Sequence, residues 1–184
     1  MVPTEVELRW ASDRSGHRRV IWGRPWAPDP PGRLPVTEGQ IEREETYPAG
    51  HLAVMFPDPP PADPDRLLTY LSRGHPIADQ GSPELIVAIV DLRMEWRTSP
   101  AVDAAILELL RRTGDLRLAG ATTDRLGRPG SAYTIDHDHG GLPTRTTVVI
   151  GAAGQVSDVE DTLTTTPGKL NVTIPATIGY TAFR

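Results

Sequence analysis

The chain has 184 residues, a formal net charge of −5 and no cysteine. The lack of cysteine excludes disulfides, zinc–thiolate sites and thiol nucleophiles, and the acidic balance argues against nucleic-acid binding, which needs a basic surface. No segment approaches the ~18 consecutive apolar residues of a membrane helix, so we expect a soluble chain without a membrane span.

The first elements that the sequence predicts are two strands joined by a turn. Val6, Leu8 and Trp10 alternate with charged residues, which is the period-two pattern of a half-buried strand. Residues 12–16 are typical of a turn, and residues 17–23 return as a second strand. We therefore predict a β-hairpin at the start of the chain.

Residues 24–64 are rich in proline, which removes backbone donors and fixes φ, so extended chain is expected there. Two descriptions fit this segment: an arm or loop packed on the sheet through residues 52–56, or a partly disordered stretch. Within it, residues 57–64 suit either a docking peptide for a partner or a rigid spacer, and the spacer is the commoner use of such a segment.

Three helices are predicted in the middle of the chain, over residues 64–113. Each begins with a capping side chain followed by proline. The cap accepts a hydrogen bond from a free backbone N–H of the first turn, and proline has no N–H at a position where that group would lack a partner in the helix. The three pairs are Asp63-Pro64, Ser82-Pro83 and Ser99-Pro100. Gly114 follows the third helix at the position where a left-handed residue commonly ends a helix.

Residues 116–184 are predicted to form antiparallel strands, because short β-type runs are joined there by glycine-rich turns and not by crossover helices. A hairpin is expected between strands 131–135 and 144–150, with residues 136–143 as a long loop. Since the helices are grouped and do not alternate with strands, the fold class is α+β. We expect one curved, half-barrel-like antiparallel sheet with about three helices packed on one face, in a single domain over residues 1–184.

Several segments carry a likeness to a known family: residues 10–16, the third predicted helix with Gly114, and residues 116–118, 123–130, 146–154 and 178–183. In these segments the chain resembles a family of uncharacterised, membrane-anchored actinobacterial proteins found with extracytoplasmic-function sigma factors. Lys169 is the single lysine among 19 basic residues, which is typical of a GC-rich genome of that kind.

The resemblance implies an extracytoplasmic C-terminal domain, which in the family follows a cytoplasmic tail and one membrane helix. This chain has neither, so a truncated or internally started version is expected. The resemblance supplies no catalytic residues to transfer. At the level of fold alone, a curved sheet with helices in its concavity is also similar to bacterial lipoprotein carriers and to the sensor domains of sigma-factor regulators.

A dense polar cluster at residues 136–141 is the candidate metal site. His137 and His139 are two apart, so on a strand both rings would face the same side, as a metal site on a sheet requires. Asp136 and Asp138 could add oxygen ligands or orient the rings. The alternative is a solvated hairpin loop, because two glycines follow at once and a third ligand has no readable spacing.

Other candidate sites are an apolar groove and a nucleophile. Trp22 and Trp26 could line a groove for a lipid or peptide; Trp22 is also explained as core, whereas Trp26 lies between prolines and fits an exposed anchor. Ser82 and Ser99 are explained as helix caps, and no serine stands in a G-x-S-x-G motif.

We therefore expect a non-enzymatic, extracytoplasmic binding or sensor-type domain, linked to sigma-factor regulation and without a cofactor. Its partner would be a protein or a hydrophobic ligand, bound in the concavity of the sheet. The alternative is a metal-dependent hydrolase that uses His137 and His139. A third interpretation is a purely structural module, with neither pocket nor partner.

Overall fold

The computed structural model describes residues 3–23, 37–165 and 173–184. The chain divides into two compact units, Met1–Pro57 and Asp58–Arg184. Among the described residues, no helix is both long enough and apolar enough to cross a membrane.

The first unit contains a three-stranded antiparallel sheet. Its strands are β1 (Thr4–Trp10), β2 (Gly16–Trp22) and β3 (Ile41–Tyr47), in the order β1-β2-β3. β1 and β2 form the hairpin that the sequence predicts. One face of this sheet is charged, because Arg19 bonds Glu44 and lies 3.7 Å from Glu7.

β3 corrects the description of residues 24–64 as an extended arm. Its sequence lacks proline but shows no apolar alternation, since four of its seven residues are charged and five are exposed. Such a strand is held by pairing with β2 and not by burial, so hydrophobic periodicity did not reveal it. Residues 24–36 of the predicted arm lie outside the described part of the chain.

The second unit begins with the helices, α1 (Pro64–Leu71), α2 (Ile77–Gln80), α3 (Ser82–Glu95) and α4 (Pro100–Thr113). Asp63 and Ser99 cap α1 and α4 as predicted, and Gly114 ends α4 with a φ of 74°. The predicted cap at Ser82 is wrong. Ser82 lies inside α3, and its hydroxyl donates to Asp115 at 2.7 Å.

A five-stranded sheet completes this unit. Its strands follow one another in space as in sequence: β4 (Arg117–Thr123), β5 (Pro129–His139), β6 (Leu142–Gly151), β7 (Val156–Leu163) and β8 (Ala176–Ala182). All four pairings are antiparallel. The core of the unit combines helix residues such as Leu67, Ile89 and Ile106 with sheet residues such as Val148 and Leu163, all almost fully buried.

The predicted α+β class and antiparallel pairing are confirmed, with one correction. The strands form two sheets of three and five and not one, because β1 to β3 pair only with each other within the described chain. The five-stranded sheet is open, with β4 and β8 at its edges. The single domain over residues 1–184 stays a prediction beside the division into two units.

Candidate functional site

A cleft of about 370 Å³ lies between α4 and one face of the five-stranded sheet. Leu107 lines it on the helix, and Ser131, Tyr133 and Ile150 line it on the sheet. Ser131 and Tyr133 are two residues apart on β5 and therefore point to the same face. Ile150 pairs with Ser131 across to β6, so the sheet side of the cleft is one continuous patch.

The side chains of this cleft leave both apolar and polar groups accessible. Leu107, Tyr133 and Ile150 are half-buried, so a ligand could cover more of their apolar surface. Within the described residues, neither the Ser131 nor the Tyr133 hydroxyl makes a side-chain hydrogen bond. Apolar walls with a few polar groups are typical of small-molecule and peptide sites.

Backbone forms one end of the cleft, where Gly130 of β5 pairs with Gly151 of β6. A Cβ on Gly130 would lie 2.7 Å from the carbonyl oxygen of Ile150, which is closer than such atoms approach. Glycine therefore lets the two strands keep their spacing next to Ile150. A larger residue at position 130 would also meet the Val149 side chain at 2.7 Å, so it would push β5 and β6 apart at this end of the cleft.

A chain of polar side chains lies farther along the same face. The Thr146 hydroxyl donates to Asp161 Oδ1 at 2.5 Å, and His137 Nε2 lies 2.8 Å from the Thr146 oxygen. Since the hydroxyl proton is used toward Asp161, the bond to His137 needs a proton on Nε2. Thr146 is 4% exposed, so the hydrogen bond to this buried hydroxyl fixes the orientation of the His137 ring.

The structure changes the prediction for residues 136–143. They were expected to form a long loop, but β5 continues to His139 and only Gly140 and Gly141 form the turn, with φ of 61° and 84°. Two residues with positive φ fit the tight turn that matches the twist of a hairpin. His137 therefore stands on a strand, as the metal hypothesis requires. The side chain of His139 lies outside the described part of the structure.

Both aspartates of the cluster have structural partners. Arg145 donates to the two oxygens of Asp136 at 2.7 and 3.0 Å, and this hydrogen bonding lowers the pKa of Asp136. Asp138 accepts the Gly141 N–H at 2.6 Å and so closes the turn. Among the described residues, no three or more histidine, aspartate or glutamate side chains form a group that could hold a metal ion.

The two tryptophans of the predicted groove do not define the cleft. Trp22 ends β2 in the first unit and is half-buried, and Trp26 lies outside the described residues. The cleft residues were missed because none has a side chain that signals chemistry. The available signal was Leu107, an apolar residue that lies off the buried stripe of α4.

A clamp of charged residues, formed by the turn 124–128 and β7, lies at the end of the sheet. Arg128 donates to Asp124 at 2.7 Å, and the Arg125 N–H donates to Asp158 Oδ2 at 2.8 Å. The Arg125 guanidinium also bonds Glu160. The clamp therefore connects the β4–β5 turn to β7, which is two strands away from β5 in the sheet.

Two carboxylates of the clamp are buried, with opposite effects on their acidity. Burial raises the pKa of Asp158, whose Oδ1 has no hydrogen-bond partner within the described chain. Burial also acts to raise the pKa of Asp124, but hydrogen bonds from Arg128 and Leu126 outweigh it and hold that pKa below the usual value. Hydrogen bonds therefore compensate for the burial of the Asp124 carboxylate, whereas within the described chain one oxygen of the buried Asp158 carboxylate has no such bond.

A second histidine, His75, is buried between two carboxylates of α3. Its Nδ1 lies 2.7 Å from Glu84, and its Nε2 lies 3.4 Å from Asp91. Burial raises the pKa of Asp91. Because the two carboxylates approach opposite nitrogens of the ring, they do not converge on a common point, and the cluster connects the segment before α2 to α3.

No protein family, no curated protein and no solved structure matches this chain.

Proposed function

We propose that this protein is a non-enzymatic binding or sensor-type domain that takes an apolar ligand, or an apolar segment of a protein, into the cleft beside α4. The observation that carries the proposal is the cleft itself, in which Leu107 faces Tyr133 and Ile150 across about 370 Å³. The Ser131 and Tyr133 hydroxyls give a bound molecule two polar groups to orient it.

The proposal extends to curvature and location. A curved sheet would set the cleft in its concavity, under the helices. The likeness of residues 123–130 and 146–154 to a membrane-anchored family supports an extracytoplasmic role in sigma-factor regulation. Cell fractionation, together with mass spectrometry of the native N-terminus, tests this location; a protein recovered only from the cytoplasm would contradict it.

Binding to the cleft is tested with dodecanoate, measured by its displacement of the dye 1-anilinonaphthalene-8-sulfonate. Leu107→Lys puts a charged chain into the wall, and since Leu107 is only half-buried the fold should tolerate it. Val87→Lys is the matched control, because Val87 is an apolar helix residue, 46% exposed, that does not line the cleft.

We expect saturable dye binding and displacement by dodecanoate in the unmodified protein and in Val87→Lys, and a loss of both in Leu107→Lys. Tyr133→Phe should weaken dodecanoate more than the dye if the hydroxyl orients the carboxylate of the fatty acid. Equal binding by the two lysine variants would place the dye elsewhere and contradict the proposal.

A further inference from the structure

The strand β4 is an open edge beside the cleft. Within the described residues it pairs only with β5, and five of its residues are exposed, namely Arg117, Leu118, Ala119, Ala121 and Thr123. The opposite edge, β8, is half-buried along all but one residue, and Arg125 of the clamp stacks over Tyr180 there. The two edges of this sheet therefore differ in exposure, and β4 is the more exposed of the two.

The unpaired backbone groups of β4 can be placed from the turn. The Asp124 N–H donates to the carbonyl of Arg128 at 2.9 Å, so it points toward β5. Donors alternate along an antiparallel strand, so Thr122 also points toward β5, whereas the N–H groups of Ala121 and Thr123 point away from the sheet. Such groups are a template for one more strand.

The edge is continuous with the cleft on one face. Leu118 pairs with Tyr133, and Ala121 pairs with Ser131, so their side chains stand beside the two hydroxyl residues of the cleft. Leu118 is 65% exposed, the highest value among the exposed large apolar side chains of the described chain. A strand added to β4 would cover it and bring its own side chains to the cleft.

Charge and shape limit what this edge can accept. Arg117 is the only charged residue of β4. Its charge helps to lower the pKa of Asp136, and Arg145 already donates two hydrogen bonds to that carboxylate. A second copy of the chain paired through β4 would bring its own Arg117 and no carboxylate on that strand, so self-pairing offers no charge complementarity. A bulge between Leu118 and Gly120 interrupts the ladder and leaves a short regular run, which suits a short strand.

We propose that β4 receives an extended segment of a protein partner, which adds a sixth strand to the sheet. The segment carries a carboxylate toward Arg117 and apolar side chains on the face of Leu118 and the cleft. This inference rests on the proposed binding function and names its occupant as an acidic, β-forming peptide. Backbone hydrogen bonds at Ala121 and Thr123 supply affinity, and the cleft supplies selectivity.

The test uses a fluorescein-labelled peptide, Glu-Val-Thr-Val-Thr-Val-Glu, and fluorescence polarisation with the full chain. Ala121→Pro removes an N–H that points away from the sheet, a position where an edge strand tolerates proline. Ala121→Ser keeps that N–H and is the conservative control. We expect saturable binding that Ala121→Pro weakens at least tenfold and Ala121→Ser largely retains, with far-UV circular dichroism showing that both variants are folded.

Charge is tested separately, so that a proline variant that fails to fold does not decide the outcome. Arg117→Glu should weaken the acidic peptide about tenfold and improve binding of the version with lysine in place of glutamate. Peptide binding that is indifferent to both substitutions overturns the inference. A concentration-dependent dimer that Ala121→Pro abolishes also overturns it, because the occupant is then a second copy.

The proposed function and this inference fail in distinguishable ways. Dodecanoate binding without peptide binding refutes the added strand and leaves the cleft as a small-molecule site. Loss of both kinds of binding in the unmodified protein refutes the proposed function itself.

Discussion

Thr146→Val should destabilise the protein by removing one oxygen from the polar chain that joins His137 to Asp161. The hydroxyl makes two side-chain bonds, at 2.8 and 2.5 Å, and valine has the same shape without either of them. The bond from His137 contributes about 1 kcal/mol and the bond to the carboxylate about 2 kcal/mol. The extra apolar burial of valine offsets somewhat less than 1 kcal/mol of this loss, so the net cost is about 2 kcal/mol.

Thr144 provides a matched control on the same strand and face. It is 2% exposed, and its hydroxyl donates only to the Leu142 carbonyl, at 2.8 Å. Thr144→Val makes the same apolar gain but loses one neutral bond, so the two valine variants should differ by about 2 kcal/mol in unfolding free energy. Thr146→Ser keeps the hydroxyl and should cost about 1 kcal/mol, for the lost methyl group.

The assay is urea unfolding followed by far-UV circular dichroism, and ¹⁵N spectra of the His137 ring test the hydrogen-bond direction. The geometry requires the proton on Nε2 in the unmodified protein, and Thr146→Val should release that preference. Equal costs for Thr146→Val and Thr144→Val would refute the reasoning, since the polar chain would then contribute nothing beyond a single local bond. A proton on Nδ1 alone would refute the assigned direction.

Three other predictions concern the clamp and the histidines. Burial raises the pKa of Asp158 in the folded state above its usual value of 3.8, so its protonated form favours folding and this stability is lost as pH rises through the raised pKa. Urea titrations at pH 4 and pH 7 should therefore show Asp158→Asn gaining on the unmodified protein as pH increases, and a constant difference contradicts this. Asp124→Ala leaves three donors without their acceptor in a buried site, so it should lower the unfolding free energy by about 3 kcal/mol, with Asp138→Ala as the exposed control at under about 1 kcal/mol. If the alternative hydrolase holds, elemental analysis finds stoichiometric zinc or nickel that His137→Ala removes; its absence ends that alternative.

Local signals in the sequence predicted most helix and hairpin positions. The caps at Asp63 and Ser99 and the end at Gly114 are correct because capping depends on a few adjacent residues. The start of α3 was predicted one residue too late, since the cap expected at Ser82 lies at Gly81 and the Ser82 hydroxyl instead bonds Asp115, which is far away in sequence. A contact of that kind has no local signature.

The misplaced turn at residues 136–143 has a similar cause. Polar residues and two glycines are typical of a loop, yet Asp136 lies on a strand because Arg145 stands opposite it across the hairpin. The glycines were correctly identified as turn residues, and only the length of the turn was wrong. A strand that extends past the apolar core carries polar side chains, so hydrophobic alternation marks only its inner part.

The candidate site was harder to predict than the fold. Large aromatic rings often line grooves, and the prediction therefore placed a groove at the tryptophans. Trp22 lies in the first unit, however, and the residues of the cleft belong to the second. Leu107, Ser131 and Ile150 are ordinary residues whose importance comes from their positions on a helix and two strands. Their proximity depends on how α4 lies on the sheet, which periodicity alone does not specify.

The clamp explains why a conspicuous motif need not be a site. Residues 123–130 contributed to the family resemblance, and in the structure Asp124 closes the turn while Arg125 reaches Glu160 and Tyr180. These residues therefore have structural partners within the fold, among them Tyr180 of β8, over whose ring Arg125 lies. The consequence for function is indirect: β8 is half-buried along most of its length whereas most residues of β4 are exposed, so β4 is the edge at which we propose that a partner strand is added, next to the cleft.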